Sequence, residues 1–397
     1  MESIKDIYRI GYGPSSSHTM GPRKAMELFT LKHGRARSLR VTLYGALAAT
    51  GRGHRTDVAL IEEAARSHLD CEVLWEPETI LERHPNALMI EALEENGKIF
   101  CAEKYYSVGG GKIVHEDESV SEDHIYPHTN LKDILQWCLE NGRPLWEYTV
   151  LHESDDLMEY LKEVWEVMKA SIRSGLDHEG VLPGGLNLTR KAAGYFAKAM
   201  HLSGPIGKRS RVYAYALAVS EENASGGRIV TAPTCGSCGV VPAVLMYQKE
   251  VYKITENRIL RALATSGLIG ALVKENASIS GAEVGCQGEI GTACAMASGA
   301  STQLMGGTNY QIEYAAEMGL EHHLGLTCDP IGGLVQIPCI ERNALASARA
   351  LNHMNYSLLS DGRHRISFDE VVSVMNETGK ALPSLYRETS GGGLAKL

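Results

Sequence analysis

The stretch LMEYLKEVWEVMKASI, residues 157–172, decides the class of most of this chain. Its apolar residues recur mostly at steps of three and four, which places them on one face of a long helix. They are Leu157, Tyr160, Leu161, Val164, Val167, Met168 and Ile172. Similar patterns follow toward the C-terminus, with little strand-like alternation, and predict a mostly all-α region. The predicted helices are 188–202, 211–220, 240–251, 257–273, 311–318, 340–351 and 368–378.

The sequence on the N-terminal side has a different period. The segment LRVTLYG, residues 39–45, alternates apolar and polar side chains and predicts a strand. Further strands are predicted at 71–75, 87–93 and 98–108, and helices at 19–32 and 56–67. The acidic stretch 115–128 has no usable period and indicates a linker or a long surface loop. We therefore expect an α+β domain at residues 1–128 and a mostly all-α domain at residues 129–397.

Composition narrows the class of protein. Hydrophobic residues make up 44% of the 397 and charged residues 22%, which is typical of a globular chain with a packed core. The net charge of −9 argues against nucleic acid or an anionic membrane as the main partner. The most apolar uncharged run, 262–273, is too short to cross a bilayer, and the first residues have no signal-peptide pattern. We expect a cytoplasmic protein with neither nucleic acid nor membrane as a partner.

The nine cysteines are an odd number and favour free thiols or metal ligands over a disulfide framework. Cys328 and Cys339 lie in loop-like sequence near turn and helix-start signals, which suits an iron–sulfur cluster. The alternative is that these cysteines are small buried hydrophobes, an interpretation that fits Cys294 well. It also fits Cys71, Cys101 and Cys138. The spacing of Cys235 and Cys238 suits a zinc half-site or a redox pair, but no second such pair follows.

Four polar motifs are candidates for a site. GPSSSHT, residues 13–19, offers hydroxyls where a helix should begin, which suits an anion or a plain helix cap. GRGHRTD, residues 51–57, places His54 between glycines and a helix start, where it should be exposed as a general base or as an ordinary surface histidine. His84-Pro85-Asn86 has the same ambiguity. In ENASGGR, residues 222–228, Arg228 suits a substrate carboxylate or a solvated surface charge.

Taken in order, eight motifs resemble those of the bacterial iron–sulfur L-serine dehydratases, which are L-serine ammonia-lyases. They are GPSSSHTMGP, GRGHRTD, HPN, YYSVGGG, ENASGGRIVTAPT, EVGCQGE, EHHLGLTCDP and QIPCIERN. The ordered set covers nearly the whole chain and is far more specific than any one motif. The resemblance implies an N-terminal domain similar to the allosteric substrate-binding domain of some phosphoglycerate dehydrogenases, and a helical catalytic domain.

The resemblance also implies a [4Fe–4S] cluster held by Cys286, Cys328 and Cys339. Its open iron would act as a Lewis acid on the hydroxyl of L-serine. His54 would take the α-proton, with His84 or His18 assisting. The substrate would be bound by Ser15, Ser16, Ser17, Thr19, Asn223, Ser225 and Arg228. A homodimer is what the family suggests.

Two departures from the family pattern bear on these expectations. No cysteine follows Cys339, so we expect water or another ligand, rather than a tail cysteine, on the fourth iron. The N-terminal domain leaves no room for an additional ACT regulatory domain. Three other functions stay open. A pyridoxal-phosphate lyase would need a Schiff-base lysine, for which no persuasive candidate is present. The others are a non-catalytic serine-binding sensor and a related lyase acting on threonine or cysteine.

Overall fold

The computed structural model describes residues 1–118, 124–388 and 391–397. By its internal contacts the chain divides into two compact units. The first, here the α/β unit, is Tyr12–Ser121, and the second, here the helical unit, is Met1–Gly11 together with Glu122–Leu397. The boundary expected after residue 128 concerns homologous domains rather than contacts and stays a prediction.

The strands and helices are numbered in chain order. The strands are β1 (Ile10–Tyr12), β2 (Ser38–Tyr44), β3 (Asp70–Glu76), β4 (Asn86–Leu93), β5 (Ile99–Ser107), β6 (Ile113–His115) and β7 (Arg228–Val230). The helices are α1 (Gly21–Lys32), α2 (Gly45–Thr50), α3 (Thr56–Arg66), α4 (Leu131–Asn141), α5 (Leu145–His152), α6 (Leu157–Asp177), α7 (Ala192–His201), α8 (Gly204–Ala224), α9 (Val240–Tyr252), α10 (Glu256–Asn276), α11 (Gly281–Val284), α12 (Thr292–Leu304), α13 (Asn309–Glu321), α14 (Cys339–Leu358) and α15 (Phe368–Ala381).

The α/β unit contains a mixed five-stranded sheet in the order β3-β2-β4-β5-β6. Strands β2 and β3 are parallel, and the other neighbours are antiparallel. The alternation in β2 buries Leu39, Val41 and Leu43 in the core of this unit, which also contains Phe29 of α1 and Leu60 of α3. One detail differs from the sequence interpretation. The expected linker begins inside β6, where His115 pairs with Tyr105, and residues 119–123 of that linker lie outside the described part of the chain.

The helical unit contains α4–α15 and a two-stranded sheet of β1 and β7. Its C-terminal region is mostly helical, as predicted. Helix α12 was not predicted because Thr292–Leu304 is rich in small uncharged residues and is buried nearly all round, which removes the amphipathic period. Among the described residues, no helix combines the length and hydrophobicity that crossing a bilayer requires.

Glycines and alanines let the helices of this unit approach closely. A Cβ added to Gly175 on α6 would lie 2.2 Å from the carbonyl oxygen of Ala218 on α8. A Cβ added to Gly319 on α13 would lie 2.6 Å from the Cα of Ala295 on α12. Because real Cβ contacts are not this short, glycine is required at these two helix crossings.

Candidate functional site

Two cysteine thiols and one carboxylate converge in the helical unit. The Sγ atoms of Cys286 and Cys328 and a carboxylate oxygen of Glu289 lie within 4.8 Å of one another. Cys286 precedes a helical turn that contains Glu289, and Cys328 lies in the loop after α13. The Cys328 thiol donates to Glu289 Oε2 at 3.8 Å. Both cysteines are buried, so the group offers two soft donors and one hard donor in a confined space.

The third cysteine of the predicted set, Cys339, is the first residue of α14. Burial raises the pKa of its thiol, and negative charge on Cys286 and Glu289 raises it further. The thiol therefore lies within electrostatic range of the other two groups. Arg342 follows one turn later on α14, and its charge lowers the pKa of the Cys339 thiol. Its guanidinium donates to the Thr327 carbonyl oxygen at 2.6 Å. The two buried thiols, the partly buried Cys339 thiol and the neighbouring Arg342 cation make a donor set that fits an iron–sulfur cluster.

Glu289 is a site residue that sequence reasoning quoted within CQGE but gave no role. Thr234 Oγ1 donates to Glu289 Oε1 at 2.7 Å. Gly281 allows the close approach, because a Cβ there would lie 2.8 Å from Glu289 Oε2 and 3.0 Å from Cys328 Sγ. Burial raises the pKa of the Glu289 carboxyl, opposed by the hydrogen bonds from Thr234 and Cys328. The feature of the sequence that could have identified Glu289 is its position three residues after Cys286, because residues three apart in a helix are neighbours on one face.

The segment 384–388 covers the Cys328 loop, which sequence reasoning also missed. The Cys328 amide donates to the Tyr386 carbonyl oxygen at 2.8 Å, and Arg387 forms an isolated parallel bridge with Cys328. Burial, and then the charge of Glu289, raise the pKa of the Glu388 carboxyl to about 8. A second, partly buried carboxyl therefore lies near the thiol cluster.

The predicted substrate ligands of the helical unit have different environments. Asn223 is buried in the last turn of α8. The hydroxyl of Ser225 accepts a hydrogen bond from Arg190 at 2.7 Å. The side chain of Arg228 on β7 is half exposed and lies 3.5 Å from Glu163, so the structure gives it an acidic surface neighbour. Their roles toward a substrate stay predictions.

The rings of His18 and His54 contact each other in the α/β unit, with centroids 4.5 Å apart and planes tilted by 32°. The expectation that His54 is exposed is wrong, because only 3% of the residue is accessible. The turn after α2 folds inward, and His54 Nδ1 lies 3.2 Å from the Thr50 carbonyl oxygen. Two threonine hydroxyls donate hydrogen bonds to the backbones of the two histidines. Thr19 Oγ1 donates to the His54 carbonyl oxygen at 2.8 Å, and Thr56 Oγ1 to that of His18 at 2.6 Å.

Burial keeps both rings neutral. It lowers the pKa of His54 to about 4, against the opposing hydrogen bond to Thr50. It also lowers the pKa of His18 well below the usual value, and charge on His54 lowers it further, while a hydrogen bond to the Ala46 backbone opposes the shift. A neutral imidazole is a proton acceptor, so either ring is in the state a general base requires at neutral pH.

The serine loop, residues 15–17, is tied to His18. Ser15 Oγ accepts from the His18 amide at 3.1 Å, and Ser17 Oγ lies 2.9 Å from His18 Nδ1. The helix expected to begin at Thr19 instead starts with a π-helical turn, Ser16–Met20, before α1. Ser16 is buried in that turn. The loop hydroxyls and His18 therefore form one connected group.

The third proposed catalytic histidine, His84, is half-buried in the turn just before β4, where its Nδ1 accepts from the Asn86 amide at 3.0 Å. The next residue, Pro85, accepts from the Ala46 amide at 3.1 Å. The HPN turn therefore packs against the beginning of α2, and His54 follows its end. Helix α2 was not predicted from the sequence, yet it contacts the segments of the three proposed catalytic histidines, His18, His54 and His84.

Comparisons with known proteins match both parts of the chain. The family model described as serine dehydratase alpha chain matches residues 63–395, and the one described as serine dehydratase beta chain matches residues 3–63. The L-serine dehydratase of Haemophilus influenzae is 40% identical over 100% of this chain and 99% of its own length. That of Streptomyces coelicolor is 41% identical over 99% and 98%, and L-serine dehydratase 2 of Escherichia coli is 40% identical over 100% and 98%.

Proposed function

Because the chain belongs to the serine dehydratase family, we propose that it is an L-serine ammonia-lyase, which converts L-serine to pyruvate and ammonia. The observation that carries the proposal is similarity over the full length of relatives named for this reaction. The buried group of Cys286, Cys328 and Glu289 supports it, because it provides a place for a metal centre.

We assign Cys286, Cys328 and Cys339 as the protein ligands of a [4Fe–4S] cluster. When bound, such a cluster supplies a Lewis-acidic iron that makes the β-hydroxyl of serine a better leaving group. The chain contributes the surroundings of the cluster, through nearby charge and through close packing. Arg342 places a positive charge beside the thiols, which lowers the pKa of Cys339 against the larger effect of burial. Gly281 leaves room for Glu289 and Cys328 to lie side by side.

The α-proton of serine requires a base, and we assign this role to His54. Burial keeps the ring neutral, and Thr50 and Thr19 fix its position through the hydrogen bonds described above. His18, whose ring contacts that of His54, and His84 are the assisting groups. Ser15, Ser16, Ser17, Thr19, Asn223, Ser225 and Arg228 are proposed to bind the carboxylate and the amine of the substrate.

Other features of the proposal follow from family membership. We propose that the α/β unit is similar to the allosteric substrate-binding domain of phosphoglycerate dehydrogenases. The mixed sheet with helices between its strands is compatible with this proposal. We also propose two family-type domains at 1–128 and 129–397, a homodimer, and a cytoplasmic location.

The test is an anaerobic preparation in which iron content and L-serine turnover are measured on the same sample. We expect about four irons per chain, visible absorption that bleaches on oxidation or reduction, and pyruvate formation. Stoichiometric pyridoxal phosphate without iron would contradict the cluster assignment. Iron-replete protein that binds serine but forms no pyruvate would favour a sensor. Turnover of threonine or cysteine in place of serine would favour a related lyase.

Ligand assignment is tested separately by alanine variants. Cys286→Ala, Cys328→Ala and Cys339→Ala should each lose iron and turnover. Cys294→Ala is the matched control, because Cys294 is fully buried on α12 and contacts Ser298 rather than the thiol cluster. It should retain iron. Retention of iron by any of the three variants, or its loss in the control, would overturn the assignment.

A further inference from the structure

A second group of metal-binding side chains lies in the α/β unit and takes no part in the proposed reaction. His33, Cys101 and Glu103 each place one ligand atom within 4.8 Å of the other two. Cys101 Sγ lies 3.5 Å from His33 Nε2, and His33 Nε2 lies 2.9 Å from Glu103 Oε1. His115 approaches from the next strand, with its Nε2 at 3.5 Å from Glu103 Oε2. We propose that these four side chains form a binding site for Zn²⁺.

The fold explains why the four side chains meet. Cys101 and Glu103 are two residues apart on β5 and therefore share one face of the strand. His115 on β6 is the register partner of Tyr105 and projects beside the same face. His33 caps the C-terminal end of α1. The site thus joins the end of one helix to two neighbouring strands, which are rigid elements suited to a fixed coordination geometry.

The donor set suits zinc by chemistry and by distance. One thiolate, two imidazoles and one carboxylate are typical ligands of tetrahedral Zn²⁺. Bond lengths of about 2.0–2.3 Å in a tetrahedron place neighbouring donor atoms roughly 3.3–3.7 Å apart. Two of the three distances above lie in that interval, and the third is a hydrogen bond that a metal would replace. His115 is near Glu103 but lies outside the three-residue group, so its ring would have to move inward to complete the tetrahedron. Within the described residues, His115 Nε2 is buried without a hydrogen bond. The Nδ1 of the same ring accepts from the Asp117 amide at 3.2 Å and lies 3.7 Å from the Asp117 carboxylate. Zinc on Nε2 would require the proton on Nδ1, where the carboxylate can accept it and orient the ring.

The alternative is a cluster held together by ion pairs alone. Lys32 Nζ lies 2.6 Å from Glu103 Oε1, and Tyr105 donates to Glu103 Oε2 at 2.6 Å. Both carboxylate oxygens of Glu103 are therefore already bonded to neighbouring donors, which a metal would displace. The Lys32 side chain is 61% exposed and can swing into solvent when a metal displaces it.

The two interpretations make opposite predictions for Lys32. If Zn²⁺ binds, Lys32 competes with it for the carboxylate, so Lys32→Gln should bind zinc at least as tightly as the native chain. If the group is only an ion-pair network, no variant retains zinc.

The sequence favours a packing role for Cys101, because its position within a strand does not reveal that His33 and His115 lie beside it.

The test uses the full-length, iron-reconstituted protein. It is incubated anaerobically with one equivalent of Zn²⁺ and desalted, and its metal content and zinc K-edge X-ray absorption are then measured. We expect one zinc per chain with one sulfur at about 2.3 Å and three nitrogen or oxygen ligands at about 2.0–2.2 Å. Two or three sulfurs per zinc would place the metal on the thiols of the helical unit and overturn the proposal. So would the absence of retained zinc.

Variants identify the ligands. Cys101→Ser, His33→Ala and His115→Ala should each weaken zinc binding by more than the roughly 10- to 100-fold typical of losing an outer-sphere partner. Cys71→Ser is the matched control, because Cys71 is a partly buried cysteine on β3 of the same sheet. It should bind zinc like the native chain. Equal zinc binding by Cys101→Ser and Cys71→Ser would contradict the site, and the Lys32→Gln result remains decisive if a ligand variant fails to fold.

Discussion

At the scale of single residues, His54 acquires its character from burial rather than from its neighbours in sequence. Two glycines before it and a helix start after it indicate an exposed loop, but the turn after α2 folds the ring inward against His18. Burial lowers its pKa to about 4. A histidine in this state is neutral throughout the physiological range and is available to accept a proton.

Replacing His54 by alanine should leave the iron content unchanged and reduce turnover of L-serine. Loss of a general base typically costs on the order of 10² to 10⁴ in rate. The measurement is kcat under anaerobic conditions, with iron determined on the same sample. His201→Ala, at the exposed end of α7, is the control and should keep native kinetics. Unchanged kinetics in His54→Ala would remove His54 from the mechanism.

The same burial makes stability depend on pH. The unfolded chain binds a proton at His54 as the pH falls through about 6.5, whereas the folded chain does so only near 4. The stability that the neutral ring contributes is therefore complete above pH 6.5 and declines as the pH falls toward 4. At pH 5 the loss is on the order of 2 kcal/mol.

Denaturant unfolding at pH 7 and pH 5 tests this linkage. The native chain should lose more stability between the two values than His54→Gln, whose amide does not titrate there. Equal losses in the two proteins would show that His54 has an ordinary pKa. Thermal unfolding of both proteins at pH 7 provides the baseline for the change that the substitution itself causes.

At the scale of elements, amphipathic periodicity predicted the helices with one solvated face but not those covered on every side. Helix α6 has a continuous apolar stripe and begins at the predicted Leu157. Helix α12 has no polar face, and α2 is too short to show a period. The residues of the thiol site divide in the same way between those that a sequence pattern identifies and those that only packing brings together. Cys286, Cys328 and Cys339 were identifiable through motifs, whereas Glu289 and the covering segment 384–388 are brought to them only by tertiary packing.

Two glycine-to-alanine substitutions in helices should change stability in opposite directions, because only one of the two glycines lies at the close crossing of α6 and α8. Gly175→Ala should destabilise the protein by about 1–3 kcal/mol, because the new Cβ would overlap the carbonyl group of Ala218. Gly194→Ala on α7 has no atom within 4 Å of the new Cβ and should stabilise the protein by roughly 0.5–1 kcal/mol. The free energy of unfolding measures both. A neutral Gly175→Ala would show that the helices can separate at little cost.

At the scale of the whole molecule, two cores are formed by different parts of the chain. The core of the α/β unit draws on residues between Ala25 and Tyr105, and that of the helical unit on Met1–Tyr8 and residues from Tyr126 onward. The sequence predicted this change of architecture from the change in hydrophobic period. It did not predict that the first residues belong to the helical core, since Ile4, Ile7 and Tyr8 occupy too short a segment to show where they pack.

Two cores predict that heating should reveal two unfolding transitions, each sensitive to substitutions in its own unit. Gly51→Ala should lower only the transition of the α/β unit, because the added Cβ would lie 2.2 Å from the Leu47 carbonyl oxygen and 2.8 Å from the Trp75 ring. Gly175→Ala should lower only that of the helical unit. Each shift should amount to several degrees for a destabilisation of about 1–3 kcal/mol. Differential scanning calorimetry of the iron-replete protein resolves the outcomes, and Gly34→Ala, with open space around its new Cβ, is the control. If both variants lowered one common transition equally, the two cores would unfold as a single cooperative unit, and the division by contacts would have no thermodynamic counterpart.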